Sequence, residues 1–122
     1  MPSTNVLRSN MSAARVISSL AAGVFLVNAI PHGVSGVQGR EFPSPFSNPP
    51  GRAQSSPAAN VAWSAANTAA GVALLRRRMT KIDRAAFAGG ALAMAFVLAG
   101  FFGNTVTAVA GAQSQDHFAP VP

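Results

Sequence analysis

Three long uncharged apolar stretches are separated by a Pro/Gly-rich segment and a short basic one along this chain. The first, Val16–Ile30, lies between Arg15 and Pro31. As helix it spans roughly 22 Å, and the small residues from Ser12 onward bring it near the roughly 30 Å of a bilayer's hydrocarbon core, with Arg15 snorkelling to the headgroups. Pro31 disfavours helix at Ile30 and is expected to end the segment there. The second stretch begins at Ser56, an N-cap residue, followed by Pro57 at the first helical position, and is stopped by Arg76, Arg77 and Arg78 at the negative end of its dipole. The third runs from Ala85 to Ala112, roughly 42 Å as helix, with Asp83 as its expected cap. The expected fold is therefore an all-α membrane protein of three transmembrane helices.

The pattern divides the chain into a tail 1–12, helix 13–30, a Pro/Gly-rich loop 31–56, helix 57–75, a basic turn 76–83, helix 84–111 and a second tail 112–122. The short basic turn predicts that the second and third helices form an antiparallel hairpin. A rival reading makes the first stretch a secretory signal, with cleavage after Val27-Asn28-Ala29. That cleavage site is poor and further spans follow, which favours an uncleaved anchor.

Composition agrees with a lipid-facing surface. Hydrophobic residues make up 49% of the chain and charged residues 10%, too few to clothe a water-soluble globule of 122 residues. The net charge is +6. Arg8, Arg15, Arg76, Arg77, Arg78, Lys81 and Arg84 fall on one side of the expected spans, and only Arg40 and Arg52 on the other. The positive-inside rule then predicts a cytoplasmic N-terminus and an external C-terminus in a bacterial inner membrane. Anionic lipid headgroups are the expected partner of the basic turn. Nucleic acid is not, because that turn carries no stacking aromatics.

Small and amide residues mark helix faces. Asn60, Ser64, Asn67 and Gly71 recur at steps of four, three and four, so they share one face of the second helix. Amides are costly against lipid, and this face is expected to meet another helix. Gly89, Ala93, Gly100 and Asn104, with Gly111, suggest a matching face on the third helix, and Ser19 and Gly23 a small-xxx-small step on the first. The loop 31–56 is too rich in proline and aromatic residues for a plain tether. Phe42, Phe46, Pro49, Pro50 and Gly51, with His32 and Trp63 at its borders, are expected to build an ordered cap over the outer helix ends.

The blocks HGVSG, EFPSPFSNPPG and SSPAANVAWSAAN resemble the signature of a group of small bacterial integral membrane proteins. The resemblance covers about a third of the chain, implies membrane embedding and carries no activity with it.

No chemistry stands out. His32 has no second histidine near it, His117 lying in the tail, so neither a haem nor a metal site is expected. Glu41, Asp83 and Asp116 are scattered, which leaves no carboxylate pair for acid–base work, and no glycine pattern forms a phosphate loop. The chain has no cysteine. The expectation is a protein with no catalytic residue and no cofactor, serving as an accessory or assembly subunit of an inner-membrane complex. A self-associating channel, transporter or holin-like pore is the alternative, and a secreted protein freed from its signal the third.

Overall fold

The first helix, α1 (Thr4–Val37), is the element on which the others are mounted. A computed structural model describes residues 1–116 in backbone and the side-chain surroundings of residues 1–104. After α1 come β1 (Phe42–Pro43), β2 (Gln54–Ser55), α2 (Pro57–Leu74) and α3 (Lys81–Asp116). Among the described residues the fold is all-α, three helices with one short antiparallel ladder that pairs Phe42 with Ser55 and Pro43 with Gln54.

Pro31 does not end α1 as its local rule predicts; it lies inside the helix. Proline removes one backbone bond and crowds the preceding turn. What retains the helix beyond it is contact with α2. A Cβ at Gly33 would lie 2.7 Å from Ser64 Oγ, and one at Gly36 would lie 2.9 Å from Pro57 O and Val61 N. The backbones therefore approach as closely as small residues allow. His32 consequently belongs to α1, and the loop starts after Val37 instead of at Pro31. At its other end α1 begins at Thr4, so most of the expected N-terminal tail is helical, with its side chains exposed.

α2 runs antiparallel to α1. Ser18 Oγ donates to Leu74 O at 3.0 Å near one end, and Gly36 lies against Pro57 and Val61 at the other. α3 runs parallel to α1, with Arg15 beside Asp83, Leu20 against Gly90 and Phe42, just past α1, against Phe102. Both helices make their extensive contacts with α1 and few with each other, so the expected hairpin is antiparallel in direction without being a packed pair. The reason is that α1 offers close-approach sites on two sides, Gly23 toward α3 and Ala22 toward α2.

The contact face of α3 is set one residue round from the expected stripe. Gly90 is buried against Leu20 O, whereas Gly89 and Gly100 have nothing near their Cα hydrogens and Ala93 and Asn104 are exposed. Phe87, Gly90, Ala91, Met94, Leu98 and Phe102 form the inner side instead. α3 continues as helix to Asp116, into the expected C-terminal tail 112–122; the surroundings of Gly111 and His117 fall outside the described residues.

The start of α3 also differs from expectation. Thr80, not Asp83, precedes the helix, and the two form a reciprocal box: Asp83 N donates to Thr80 Oγ1 at 3.1 Å and Thr80 N to Asp83 Oδ2 at 2.9 Å. Arg15 Nη2 donates to the same Oδ2 at 2.9 Å, tying α1 to the first turn of α3. Thr80→Ala should cost about 1 kcal/mol, the usual value of a cap. Asp83→Ala should lower the melting temperature further, because it also removes the carboxylate that Arg15 donates to, and adding Arg15→Ala to it should cost little more, since Arg15 then keeps only its 3.4 Å contact with Arg78 O. Thermal unfolding of the three variants and the double variant tests this; independent, additive losses would contradict it.

α1 and the described part of α3 are long and apolar enough to cross a membrane by length and composition. In α2 the residues Asn60, Ser64, Asn67 and Thr68 dilute the apolar content.

Candidate functional site

The polar residues of α2 are consumed by α1 and the loop of the same chain. Asn28 Nδ2 donates to Asn67 Oδ1 at 3.0 Å, and Asn67 Nδ2 donates to Trp63 O at 2.9 Å. One turn on, Ser64 Oγ donates to Ala29 O at 2.8 Å. Gly71 closes the stripe, where a Cβ would meet Leu26. Asn60, Ser64, Asn67 and Gly71 thus form one seam with α1, and Ser19 and Gly23 lie buried on α1 itself. Ser19 Oγ has no partner among the described residues.

At the end of this seam Asn60, fully buried, is the hub of the loop. Its Nδ2 lies 2.9 Å from Phe42 O, 3.2 Å from Ser55 O and 3.1 Å from Ser56 O, while its Oδ1 lies 2.8 Å from His32 Nδ1. One amide therefore holds α1, β1 and the entry to α2 together. Ser56 caps that helix, its Oγ accepting from Ala59 N at 3.2 Å.

The loop itself is folded by serines. Ser44 Oγ and Ser55 Oγ are 2.6 Å apart across the ladder, and Ser47 Oγ donates to Ser44 O at 2.6 Å. Gly51 N donates to Ser44 O at 2.8 Å, closing a turn through the cis Asn48–Pro49 bond; Gly51 has a φ of +70°, open to glycine and costly for other residues. Pro49 and Pro50 lie exposed at the tip of this turn. Phe46 is exposed and sets its ring edge-on to Trp63 at 5.4 Å. His32 is edge-on to Phe42 at 5.3 Å and to Trp63 at 6.5 Å.

Between this loop, α1 and the inner side of α3 is a cavity of about 210 Å³, lined by Asn28, His32, Trp63, Met94, Leu98 and Phe102 among others. No Asp, Glu, Lys or Arg lines it. At the opposite end of the molecule a second pocket, of about 350 Å³, is lined by Arg8, Arg15, Thr80 and Asp83. Arg76, Arg77, Arg78, Lys81 and Arg84 are exposed around it, so the topology gathers these basic residues at one end and the loop, with Arg40 and Arg52, at the other.

Sequence reasoning missed the role of Ser44 and Ser55, and the Arg15–Asp83 pair. Serines in a proline-rich segment carry no spacing signal, and Arg15 and Asp83 are far apart in the chain. The T-x-x-D box at Thr80 was a usable signal. Among the described residues no group of three or more His, Cys, Asp or Glu is placed to hold a metal ion. Comparison of the chain with protein-family models, with characterised proteins and with solved structures returned no match in any of the three.

Proposed function

We propose that the chain is an integral membrane protein whose three helices all lie in the bilayer, and that it acts as a non-catalytic accessory or assembly subunit of a bacterial inner-membrane complex. The observation that carries this reading is an inverted distribution of polarity. Among the described residues the buried ones are chiefly polar, Ser19, His32, Asn60, Asn67 and Asp83 among them, and the only buried apolar side chains are Ala22 and Ala29. Ile17, Ile30, Leu92, Phe96 and Val97 are exposed. Water would impose the reverse, whereas lipid rewards an apolar exterior and internal pairing of amides.

α2 fits this scheme although its composition is mixed. Its amides face α1, and its outward side carries Val61, Ala62, Ala65, Ala66, Ala69 and Val72. The one exposed hydroxyl there, Thr68 Oγ1, donates back to Ser64 O at 2.9 Å. Because α2 lies alongside α1 from Ser18 to Gly36, both share the same depth. The basic end then faces the cytoplasm and anionic headgroups, and the loop faces outward.

The accessory role is supported by α3. Its outward side presents Gly89, Ala93 and Gly100 with open space at the backbone, room for a helix of a partner or of a second copy. A self-associated pore needs polar side chains on an outer face, and the amides of the seam are already paired within the chain. Gly89→Leu with Gly100→Leu should leave insertion and folding unchanged yet abolish a larger assembly seen by native electrophoresis in mild detergent. A wild-type chain that runs only as a monomer, without a crosslinked neighbour, would overturn the accessory role.

A further inference from the structure

The hydrogen-bond network fixes the tautomer of His32. Asn60 Nδ2 faces three carbonyl oxygens, so the amide can adopt only one orientation and Oδ1 must accept. In its neutral form the His32 ring therefore donates from Nδ1, 2.8 Å away, and Nε2 is the acceptor. The same logic applies one helical turn earlier. Asn67 Nδ2 donates to Trp63 O, its Oδ1 accepts from Asn28 Nδ2, and Asn28 Oδ1 is left as an acceptor. His32 and Asn28 both line the cavity of about 210 Å³, whose other walls include Trp63, Met94, Leu98 and Phe102.

From this arrangement we infer that the cavity binds a small, neutral, hydroxyl-bearing apolar molecule, its hydroxyl donating to His32 Nε2 and its body lying among Met94, Leu98 and Phe102. Two acceptors call for a donor. No lining carboxylate neutralises a cation, and no lining Arg or Lys attracts an anion. The volume suits a single aromatic ring with a short chain. His32 is 5% exposed, so a donor reaching it is shielded from water, where a hydrogen bond gains in strength. This site stands whether or not α3 meets a partner subunit.

Trp63 is the sole tryptophan and lines the cavity, which makes its emission a direct reporter. With the full chain in phosphatidylcholine nanodiscs, 4-hexylphenol should change Trp63 emission saturably. 4-Hexylanisole, the same body with the hydroxyl hydrogen replaced by methyl, should bind about ten-fold more weakly. Simple partition into lipid would favour the anisole, so the expected order cannot come from the bilayer. His32→Phe should erase the preference. Because that change also strips Asn60 of a partner, Leu98→Phe serves as a second variant, which fills the cavity without touching the network and should weaken the phenol at least as strongly. Equal responses of the wild-type chain to the two probes, or a phenol response unaltered by Leu98→Phe, would overturn the inference.

Discussion

Alanine at Gly90 or at Gly23 is expected to detach α3 from α1 while leaving α1 and α2 together. A Cβ at Gly90 would run into the Leu20 carbonyl, and one at Gly23 into the Phe87 carbonyl, with Ala91 N at 2.7 Å. These obstacles are backbone atoms on rigid helices, so no rotamer change relieves them, and the helices must separate along their whole contact. Overpacking of this kind costs ~1–3 kcal/mol in well-packed proteins and more where nothing can yield. In lipid, close approach is itself the main attraction between helices, so separation forfeits the packing as well. The chain has no cysteine, so a thiol pair introduced at Phe42, in β1 just past α1, and at Phe102 of α3, whose rings lie 4.5 Å apart, reports how α3 is seated. Crosslinking by a short bis-maleimide should fall several-fold in Gly23→Ala and Gly90→Ala. It should be unchanged in Gly89→Ala and Gly100→Ala, where an added methyl group meets open space. Equal crosslinking in all four would mean that α3 is not seated as described.

Asn60→Leu should open the loop. Leucine fills a similar volume but satisfies neither the carbonyls of Phe42 and Ser55 nor the His32 Nδ1–H. With each orphaned buried group costing about 1–3 kcal/mol, the loss should be ~3 kcal/mol, concentrated where loop, α1 and α2 meet. That corresponds to roughly a hundred-fold rise in the open population of the loop. Arg40 and Arg52 are exposed and flank the ladder, so trypsin cleavage after them in reconstituted protein reads the opening. Asn67→Leu, which loses only its bonds with Asn28 and the Trp63 carbonyl, should raise cleavage far less. Similar rates for the two variants would show that Asn60 is not the hub.

How far the sequence discloses these contacts depends on contrast. On α2, two asparagines and a serine stand out against alanine at helical spacing, and their common face is readable without knowing its partner. On α3 glycine and alanine occur all round the helix, so Gly89 and Gly90 are equally plausible contacts and only the docking of Leu20 selects the second. At Pro31 a sound local rule is overridden by close packing against α2 at Gly33 and Gly36, an effect that the residues around the proline do not disclose. His32 and Asn60 are each notable in the sequence, but their bond depends on α1 extending past Pro31 and on α2 running antiparallel to it. The cavity is less legible still, since its walls come from α1, the loop, α2 and α3.

In the proposed arrangement lipid covers the outward faces of all three helices, α2 included. Nitroxide labels placed singly at Ala65 and Ala69 on α2, and at Leu92 and Phe96 on α3, in the reconstituted chain test this most directly. All four positions are exposed in the fold. The account predicts high accessibility to oxygen and low accessibility to a water-soluble nickel chelate at every one of them. Chelate accessibility at Ala65 and Ala69 equal to that of a label on Arg52 would place α2 in water and contradict it.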